Sequence, residues 1–468
     1  MSSSFPSQKG KVTGLILAAG KGTRMKSNLP KCLHKVCGIP MAKLVADQMT
    51  AAGVDEVILV VGHGGEQLVS TLGSGYKYAW QLEQLGTGHA VQCAMKELGD
   101  IHGTIVIACG DTPLISTEYF RNFINSHIES NKVCSVSVAQ LPNAHGYGRV
   151  VIEDGNAIRI VEQKDATTEE LQIPFANAGM YCVDAQWLTQ ALNGLNNNNK
   201  SGEYYLTDII KNFSDNGNPA NAFISTDSSI LMGVNDRLHL AEANQILKDS
   251  INRKWMTEGV TIVDPNNTYI GPFVAIGQDT VIEPGTHLLG QTSIGSNCVI
   301  GPNTRMIDVK AGNDCTILST QADVCSIGNN VKIGPFANIR PKSTLGDDVK
   351  IGNFVEVNRS QLANGVKASH LTYLGDSTVG EETNIGAGTI TCNFDGFQKH
   401  PTSIGKDAFV GSNSTLVAPL TIGDGTVIGA GSVITEDVPE NALALGRARQ
   451  VTKLEYASLR RKQKAQES

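Results

Sequence analysis

Residues 269–306 read YIGPFVAIGQDTVIEPGTHLLGQTSIGSNCVIGPNTRM, and this stretch decides the fold of the second half of the chain. From its second residue to its last, an aliphatic side chain occupies every sixth position. The residue two places earlier is small or β-branched, and a glycine often follows, as at Gly271 and Gly277. The same period returns over residues 327–357 and again over residues 404–434.

A period of six fits neither a helix nor simple strand alternation. Within each hexad the aliphatic residue and the residue two places before it point the same way, as on a short strand. Three such strands form a three-sided coil of about 18 residues, and stacked coils bury one continuous core. The pattern resembles the hexapeptide signature of left-handed parallel β-helices, and only this resemblance implies the left-handed turn. We expect the β-helix from about Tyr269 to Val438.

Length and composition narrow the possible classes. A chain of 468 residues suggests two to four domains, and 41% hydrophobic with 18% charged residues is typical of globular proteins. The net charge of −7 gives no general basic field for nucleic acid. None of the ten cysteines forms a CxxC pair, which argues against a zinc site or a disulfide framework. No apolar run approaches ~18 residues, so we expect a cytoplasmic protein without membrane insertion.

The first half opens with an apolar run, Val12–Leu17, that predicts a buried parallel strand. It continues into the sequence LAAGKGTRM, residues 17–25, and then Pro-Lys at 30–31. Glycines directly after a strand let backbone N–H groups approach a phosphate, and Arg24 and Lys31 add positive charge. A lone GxG also occurs in ordinary tight turns. The full run resembles the signature of sugar-1-phosphate nucleotidyltransferases, a Rossmann-like α/β family.

Alternating strands and helices follow this motif. We expect a helix over residues 41–52, strands over 56–61 and 104–109, and another helix opened by residues 84–90. Asp111 follows the second of these strands, at the edge of a parallel sheet where ligands bind. Mg²⁺ commonly takes one or two carboxylates together with substrate phosphates, so Asp111 is a candidate ligand. The alternative is an aspartate that caps a helix.

Five later motifs are ordinary one by one but informative in their order: GYGR at 146–149, VEQKD at 161–165, NAG at 177–179, EYYLTD at 203–208 and GVNDR at 233–237. Together they resemble the family of bifunctional N-acetylglucosamine-1-phosphate uridylyltransferases / glucosamine-1-phosphate N-acetyltransferases. The resemblance covers roughly residues 12 to 450. It implies a Rossmann-like nucleotidyltransferase domain over 1–236, a helical linker over 237–258, and a left-handed β-helix acetyltransferase domain with a tail over 259–468. An apolar stripe at 3–4 spacing also predicts one helix from Arg237 to Trp255.

The resemblance also assigns the residues of the N-terminal site. Those implied to hold the uridine nucleotide are Leu17, Ala18, Ala19, Gly20, Gln81, Gly86 and Thr87. Those implied to contact the sugar phosphate are Gly148, Glu162, Asn177, Thr207 and Asn235. Asp111 and Asn235 are implied to hold Mg²⁺, and Arg24 and Lys31 to act on the phosphates. A sugar phosphate is already anionic, so attack on UTP needs positioning and charge neutralisation rather than a strong base.

The β-helix pattern breaks where chemistry is expected. Arg340 and Asn358 replace glycines one coil apart, so both should lie at one corner, where they could grip an anion. The family usually has lysine where Asn358 stands, and the neighbouring Arg359 is a possible substitute. From Gln361 to Leu374 the aliphatic period fails, and this segment resembles the catalytic loop of the family, with His370 as general base. An amine that attacks a thioester must lose a proton, and histidine titrates near working pH. A surface-loop histidine is the alternative.

A second break over residues 391–401 predicts a loop that projects from the β-helix and could cover a neighbouring subunit's site. Residues implied to lie near the amino sugar are Arg340, Asn358, Tyr373, Asn384 and Lys399. Residues implied to lie near acetyl-CoA are Asn393, Phe394, Ser412, Ala430 and Arg447. The family commonly has tyrosine where Phe394 stands. The basic tail after Gln450 either contacts coenzyme A phosphates or is a solvated, frayed terminus.

The sequence leaves two hypotheses about function. In the first, a homotrimer acetylates glucosamine-1-phosphate with acetyl-CoA and then joins the product to UTP with Mg²⁺, supplying UDP-N-acetylglucosamine for the bacterial cell wall and envelope. In the second, the β-helix of a sugar nucleotidyltransferase is a non-catalytic oligomerisation or regulatory module. The His370 segment with Arg340, Asn384 and Asn393 favours the first, because a purely structural solenoid does not need these residues.

Overall fold

A computed structural model describes residues 10–99, 101–225 and 232–466 of the chain. The chain divides into two compact units, Met1–Lys248 and Asp249–Ser468. No helix in the described ranges is both long enough and apolar enough to span a membrane.

The N-terminal unit is built on a nine-stranded mixed sheet with the order β5-β4-β1-β6-β10-β7-β11-β9-β8. The strands of this sheet are β1 (Val12–Leu17), β4 (Glu56–Val61), β5 (Lys77–Trp80), β6 (Thr104–Cys109), β7 (Cys134–Gln140), β8 (Arg149–Glu153), β9 (Asn156–Val161), β10 (Phe175–Asp184) and β11 (Ala220–Ser225). Two short strands, β2 (Lys35–Val36) and β3 (Ile39–Pro40), form a separate antiparallel pair. The helices are α1 (Met41–Ala51), α2 (Gly65–Leu72), α3 (Thr87–Leu98), α4 (Thr117–Ser130), α5 (Ala185–Asn193) and α6 (Asp208–Asp215). Short 3-10 helices cover Thr23–Met25, Lys31–Leu33 and Glu170–Gln172.

The apolar strands predicted from the sequence form the centre of this sheet. Strands β5, β4, β1 and β6 run parallel, with β1 between β4 and β6. Leu15 and Ile16 on β1 and Ile105 and Ile107 on β6 are fully buried, because helices cover both faces of a parallel sheet. The carboxyl ends of the four strands therefore meet at one edge, where the chain turns into its motif-bearing loops. The predicted strands 12–17, 56–61 and 104–109 and the helix at 41–52 are confirmed.

Helix α7 (Arg237–Thr257) begins in the N-terminal unit and ends in the C-terminal one. It confirms the helix predicted from Arg237 and extends two residues beyond Trp255. Ala243, on the first part of the helix, is buried in the N-terminal unit, and Trp255 is buried in the core of the C-terminal unit. The apolar stripe is therefore used in both units.

The C-terminal unit consists of three parallel sheets whose strands alternate along the chain. Its strands are β12 (Thr261–Ile262), β13 (Tyr269–Ile270), β14 (Ala275–Ile276), β15 (Val281–Ile282), β16 (His287–Leu289), β17 (Ser293–Ile294), β18 (Val299–Ile300), β19 (Arg305–Ile307), β20 (Lys310–Ala311), β21 (Thr316–Ile317), β22 (Gln321–Asp323), β23 (Ser326–Ile327), β24 (Lys332–Ile333), β25 (Asn338–Ile339), β26 (Thr344–Leu345), β27 (Lys350–Asn353), β28 (Glu356–Asn358), β29 (Gln361–Leu362), β30 (Lys367–His370), β31 (Tyr373–Gly375), β32 (Ser377–Val379), β33 (Asn384–Ile385), β34 (Ile390–Cys392), β35 (Thr402–Ile404), β36 (Phe409–Val410), β37 (Thr415–Val417), β38 (Leu420–Ile422), β39 (Val427–Ile428), β40 (Val433–Ile434) and β41 (Leu443–Ala444).

Sheet I contains eleven strands from β12 to β41, sheet II ten strands from β13 to β40, and sheet III nine strands from β14 to β38. Successive strands along the chain belong to sheets I, II and III in turn, so each coil has three corners. We call them corners I–II, II–III and III–I after the sheets they join. The coils begin at Thr261 and end at Ala444, a longer β-helix than the predicted span from Tyr269 to Val438.

The hexad pattern places its side chains inside the coils as predicted. Ile282, Leu288 and Ile300 are fully buried, and so is Thr280 two places before the first of them. A buried hydroxyl needs a partner, and the Thr280 Oγ1 donates to the backbone carbonyl of Gly295 at 2.8 Å. Stacked threonines thus satisfy their polar atoms within an otherwise apolar core.

Glycine is needed where coils approach closely. A Cβ on Gly277 would lie 2.5 Å from backbone atoms of the next coil, so no larger residue fits there without a shift. Beside this glycine column, side chains link the coils: the Oδ1 atoms of Asn329, Asp347 and Asn364 accept backbone N–H bonds of 2.9, 2.6 and 2.9 Å from the preceding coil. We call this set the asparagine ladder.

The predicted failure of the aliphatic period between Gln361 and Leu374 is wrong. Leu362, Ala368 and Leu374 are buried in the core and pair in register with the coil before them. The step from Val357 to Leu362 is five residues instead of six, which hides the continuing period from a fixed count. His370 accordingly lies at the end of strand β30 and not in a loop.

The second predicted break is confirmed in a narrower form. Thr391 still lies in the coil, and residues 393–401 leave it between β34 and β35. This projecting loop is held by Asp395, whose carboxylate accepts from the backbone N–H groups of Phe397 and Gln398 and contacts His400 Nε2 at 2.7 Å. Phe397 at its tip is 96% exposed. The tail after Gln450 contains helix α8 (Tyr456–Gln466), which is exposed along its whole length.

Candidate active sites

The phosphate end of the N-terminal site lies where the central parallel strands end. Gly110 donates its backbone N–H to the Leu17 carbonyl at 3.0 Å, which places the loop after β6 beside the loop after β1. Val234 donates its N–H to the Asp111 carbonyl at 2.8 Å and so brings residues 233–235 to the same edge. Four residues predicted from the sequence converge there, although the first and the last of them, Arg24 and Asn235, are 211 positions apart in the chain.

These four residues are Arg24, Lys31, Asp111 and Asn235. The Lys31 ammonium donates to an Asp111 carboxylate oxygen and, at 2.9 Å, to Asn235 Oδ1. Arg24 Nη2 donates to the same Asn235 oxygen at 2.9 Å. Lys31 and Asp111 are part-buried, so their charges interact more strongly than charges at an open surface. The cluster pairs two cations with two oxygen ligands at the end of a strand.

The geometry of this cluster fits a divalent cation. The oxygens of Asp111 and Asn235 converge on one point, since both contact the same ammonium nitrogen. Mg²⁺ is commonly bound by one or two protein oxygens and completed by substrate phosphates. Among the residues described, no group of three or more His, Cys, Asp or Glu side chains is placed to hold a metal. The two oxygens therefore suit a metal that shares its ligands with a nucleotide.

The predicted nucleotide-binding residues surround the same edge. Ala18 and Ala19 are buried and Gly20 is exposed, directly after β1. Gln81 follows β5 and is 3% exposed; its Nε2 donates to the Gly86 carbonyl at 3.0 Å and lies 3.2 Å from His89 Nδ1. His89 Nδ1 also lies 3.0 Å from the Glu83 carbonyl, which can only accept, so Nδ1 carries a proton and does not accept from Gln81. The bond to Gly86 alone orients the Gln81 amide and leaves its Oε1 atom to accept from a ligand.

The loop before α3 also connects to the sugar end of the site. Gly86 has φ of 118°, and a Cβ there would lie 2.5 Å from the Tyr204 carbonyl, so glycine is required. Thr87 Oγ1 accepts the backbone N–H of Leu206 at 3.0 Å. Thr207 follows directly. The nucleotide and sugar sets, which the sequence assigned separately, therefore adjoin through residues 204–207.

The predicted sugar residues Gly148, Glu162, Asn177 and Thr207 form one group. Asn177 donates its backbone N–H to the Gly148 carbonyl at 2.8 Å. A Cβ on Gly148 would lie 3.5 Å from the Glu162 carboxylate oxygens. Thr207 Oγ1 donates to Glu162 Oε1 at 3.1 Å. Burial raises the pKa of the Glu162 carboxyl, and the nearby Asp208 adds to this, while the Thr207 hydrogen bond opposes it.

The predicted base of the C-terminal site has a partner that sequence reasoning missed. His370 is exposed at corner I–II, and its Nδ1 lies 2.8 Å from Asn353 Oδ1 on the preceding coil. Because the amide oxygen can only accept, Nδ1 carries the proton and Nε2 keeps its lone pair. The signal for Asn353 was its spacing of 17 residues from His370, one coil.

Three predicted acetyl-CoA residues lie on the same corner as His370. The strand register places Ser412 two coils and Ala430 three coils beyond His370 in one column. At ~4.8 Å per coil, Ala430 is about 14 Å from His370 along the helix axis. Arg447 Nη1 donates to the Ala430 carbonyl at 2.7 Å and lies at the far end of this column. Small exposed side chains thus separate the histidine from a cation.

The predicted amino-sugar residues do not all lie at one corner. Arg340 and Asn358 stack at corner II–III in adjacent coils, as the spacing of 18 predicted. Arg340 Nη1 donates to Glu356 Oε1 at 2.9 Å, and Asn358 Nδ2 donates to the Tyr373 hydroxyl at 3.3 Å. Asn384 lies on sheet I, away from this corner, and pairs with Lys367 and Phe409.

Two further residues stand beside the predicted set. Arg359, suggested as a substitute for a missing lysine, donates from Nε and Nη2 to both Asp376 oxygens at 2.6 and 2.7 Å. Asp376 also accepts from Asn393 Nδ2 at 2.5 Å. Phe394 and Lys399 are exposed on the projecting loop. Asp376 ends the segment 366–376 that resembles the catalytic loop, but the resemblance gave it no role of its own; its position 17 residues after Arg359 places it one coil on.

Comparison with known proteins separates the two hypotheses about function. Residues 14–166 match the MobA-like NTP transferase domain. Residues 273–308 and 325–359 match the bacterial transferase hexapeptide (six repeats), and residues 401–436 match the hexapeptide repeat of succinyl-transferase. A bifunctional protein GlmU from Halalkalibacterium halodurans is 49% identical over 445 residues, 95% of this chain and 98% of the relative.

The chain belongs to the GlmU family. A member from Geobacillus sp. is 49% identical over 94% of this chain and 96% of its own, and one from Exiguobacterium sibiricum is 46% identical over 94% and 99%. The protein is therefore a bifunctional enzyme with uridylyltransferase and acetyltransferase activities. Its β-helix is the left-handed type of the hexapeptide families, and the hypothesis of a purely structural module is not supported.

Proposed function

We propose that this GlmU family member makes UDP-N-acetylglucosamine in two steps. Residues 259–468 acetylate glucosamine-1-phosphate with acetyl-CoA, and residues 1–236 then transfer uridylyl from UTP with Mg²⁺ and release pyrophosphate. The observation that carries the acetyl-transfer half is the contact of His370 Nδ1 with Asn353 Oδ1 at 2.8 Å. A histidine so oriented presents a basic nitrogen to solvent, which a structural solenoid does not require.

In acetyl transfer, His370 Nε2 takes the proton from the attacking ammonium of the amino sugar. The freed amine attacks the thioester carbonyl carbon, the C–S bond breaks, and the imidazolium gives its proton to the departing thiolate. The new amide nitrogen loses its second proton to solvent. Asn353 Oδ1 accepts from Nδ1–H throughout and stabilises the imidazolium. Ser412 and Ala430 line the path along which an extended acyl donor lies, and Arg447 is a cation for its phosphates.

In uridylyl transfer, a phosphate oxygen of N-acetylglucosamine-1-phosphate attacks the α-phosphorus of UTP and pyrophosphate leaves. Lys31 and Arg24 neutralise charge on the phosphates, and their fixed contacts with Asn235 hold them in position. Glu162 and Thr207 bind and orient the sugar. When bound at Asp111 and Asn235, Mg²⁺ would supply further charge neutralisation at the phosphate oxygens.

We also propose a homotrimer formed through the β-helix and a cytoplasmic location, as in the family. Support for self-association comes from corner I–II, where Phe336, Phe354 and Leu371 are 60%, 56% and 62% exposed. Their φ angles are 61°, 57° and 49°, a region that bulky residues rarely adopt. The two phenylalanine rings stack with centroids 5.5 Å apart. The three residues form an exposed apolar stripe although their backbone conformation is unfavourable for bulky side chains. Such a stripe is suited to burial against a second copy of the chain.

The test measures free thiol and pyrophosphate separately in one protein. Wild type, His370→Ala and Lys31→Ala receive glucosamine-1-phosphate and acetyl-CoA, or preformed N-acetylglucosamine-1-phosphate and UTP, with and without EDTA. We expect His370→Ala to lose only thiol release, and Lys31→Ala and EDTA to abolish only pyrophosphate release. Thiol release that survives His370→Ala would refute the assigned base, and pyrophosphate release unaffected by EDTA would refute the metal.

A further inference from the structure

Three polar residues stack in consecutive coils at corner II–III: Arg359, Asp376 and Asn393. The strand register places them one above another. Asp376 is the centre of this polar column, because its carboxylate accepts two bonds from Arg359, of 2.6 and 2.7 Å, and one from Asn393 of 2.5 Å. A bidentate arginine–carboxylate pair fixes the orientation of both side chains.

The backbone turns sharply at this column. Arg359 and Asp376 have φ of 51° and 50°, in the left-handed region. Lys342 and Val324, at the same corner in earlier coils, have φ of 65° and 44°. The turn therefore accepts different side chains, and the bidentate pair with Asp376 is what fixes the direction of the Arg359 side chain.

Asp376 also holds both ends of the projecting loop 393–401. Its side chain binds Asn393, which is only 7% exposed and begins the loop. Its backbone carbonyl accepts from the N–H of Thr402 at 3.2 Å, where the loop rejoins the coil. Inside the loop, His400 donates its N–H to the Asn393 carbonyl at 2.8 Å. Removing the Asp376 side chain would thus release the first end of the loop.

Arg359 also connects the polar column to predicted amino-sugar residues, Asn358 at the same corner and Tyr373 beside it. Arg359 Nη1 donates to Asn358 Oδ1 at 3.3 Å, and Asn358 Nδ2 donates to the Tyr373 hydroxyl at 3.3 Å. Arg359 thus pairs with Asp376 and also orients Asn358. One unbroken chain of hydrogen bonds joins Tyr373 to Asn393.

We propose that Asp376 is a positioning residue for acetyl transfer: it fixes the loop residue Asn393 at the donor end of the site and, through Arg359, fixes Asn358 and Tyr373 at the acceptor end. The proposal rests on the assignment of these ends under the proposed function. Asp376 itself touches neither substrate. Its effect should therefore appear in the Michaelis constants and not in the proton transfer at His370, which lies at another corner.

The test compares steady-state acetyl transfer by full-length wild type, Asp376→Asn, Asp376→Ala and Arg359→Ala. Loss of one charge-assisted hydrogen bond corresponds to about tenfold. We expect both Asp376 variants to raise KM for acetyl-CoA and for glucosamine-1-phosphate by about tenfold each. Arg359→Ala should raise only the KM for glucosamine-1-phosphate, because Asn393 keeps its bond to Asp376.

Asp347→Asn is the matched control. Asp347 accepts cross-coil bonds in the asparagine ladder of the same β-helix, where the chain itself uses asparagine at neighbouring positions. The control should keep both KM values. Pyrophosphate release from preformed N-acetylglucosamine-1-phosphate reports whether each variant is folded, and Arg359→Ala carries the test if Asp376→Ala does not fold.

The outcomes separate this proposal from the proposed function. If wild type releases no thiol, the acetyl-transfer assignment itself fails. If wild type is active and Asp376→Asn keeps the wild-type KM for acetyl-CoA, Asp376 is not a positioning residue. An equal fall in kcat for Asp376→Asn and Asp347→Asn, with unchanged KM values, would show a merely structural role and also overturn the proposal.

Discussion

Asn353→Ala should slow acetyl transfer although Asn353 touches neither substrate. In the resting enzyme its Oδ1 accepts a hydrogen bond from His370 Nδ1 at 2.8 Å, a neutral pair worth ~1 kcal/mol. Once His370 has taken the amine proton the same bond is charge-assisted and worth ~1.5–3 kcal/mol. Only the extra stabilisation at the transition state affects kcat.

The expected fall in kcat follows from that difference. A loss of ~0.5–2 kcal/mol at the transition state reduces kcat about 2- to 30-fold. Loss of the fixed tautomer and ring orientation adds to this, so about 10- to 100-fold is expected in all. The KM values for acetyl-CoA and the amino sugar should change little, because ground-state binding does not use this bond.

The assay follows free coenzyme A thiol, with pyrophosphate release by the other unit as the internal control for folding. Asn353→Asp keeps an acceptor oxygen at the same position and should retain most of the wild-type kcat. Wild-type turnover in Asn353→Ala would refute the assigned orientation of His370. A fall of equal size in Asn353→Asp would show that packing, and not hydrogen bonding, explains the effect.

Three further predictions concern the nucleotide site, the sugar site and subunit assembly. Gln81→Ala should lower the ratio of kcat/KM for UTP over CTP, because it removes the Oε1 atom that accepts from an N–H of the uracil base; an unchanged ratio would contradict this. Glu162→Gln should raise the melting temperature of the N-terminal unit at pH 8 but little at pH 4: burial raises the pKa of this carboxyl, so wild-type stability is lost as pH rises, and equal shifts at both pH values would exclude that cause. Phe354→Asn suits the left-handed backbone but removes an apolar ring that is 56% exposed at the proposed interface, so each interface should weaken about tenfold in sedimentation experiments; an undiminished oligomer would argue against corner I–II as the interface.

Periodicity predicted the fold well because it reports burial directly. The hexads fixed which side chains enter the coils, and the apolar runs 12–17, 56–61 and 104–109 became central strands without a change of boundary. The error at residues 361–374 has a physical origin. Coils can drop one residue at a corner while the inward positions stay in register, as between Val357 and Leu362, and a fixed period cannot follow this.

Sites were predictable where a motif lies on one segment and less so where a partner comes from another coil. Lys31, Asp111 and Asn235 stood in separate motifs, and the structure brings them together. Asn353 belongs to no motif, and Asp376 ends the segment 366–376 without a role of its own there, since both residues act through stacking on residues 17 positions away. The spacing was visible in the sequence, but without the three-dimensional register nothing distinguished these residues from other surface positions.

Because the coils stack at a constant spacing, the number of coils sets the distances between His370, Ser412 and Ala430 in their column. An extra 18-residue coil inserted between His370 and Ser412 would lengthen the distance to Ala430 by ~4.8 Å. The same coil inserted before Ile300 would leave every distance in the column unchanged. The number of coils can therefore vary at the start of the solenoid. Between residues 353 and 447 it must match the length of the ligand that extends along the column.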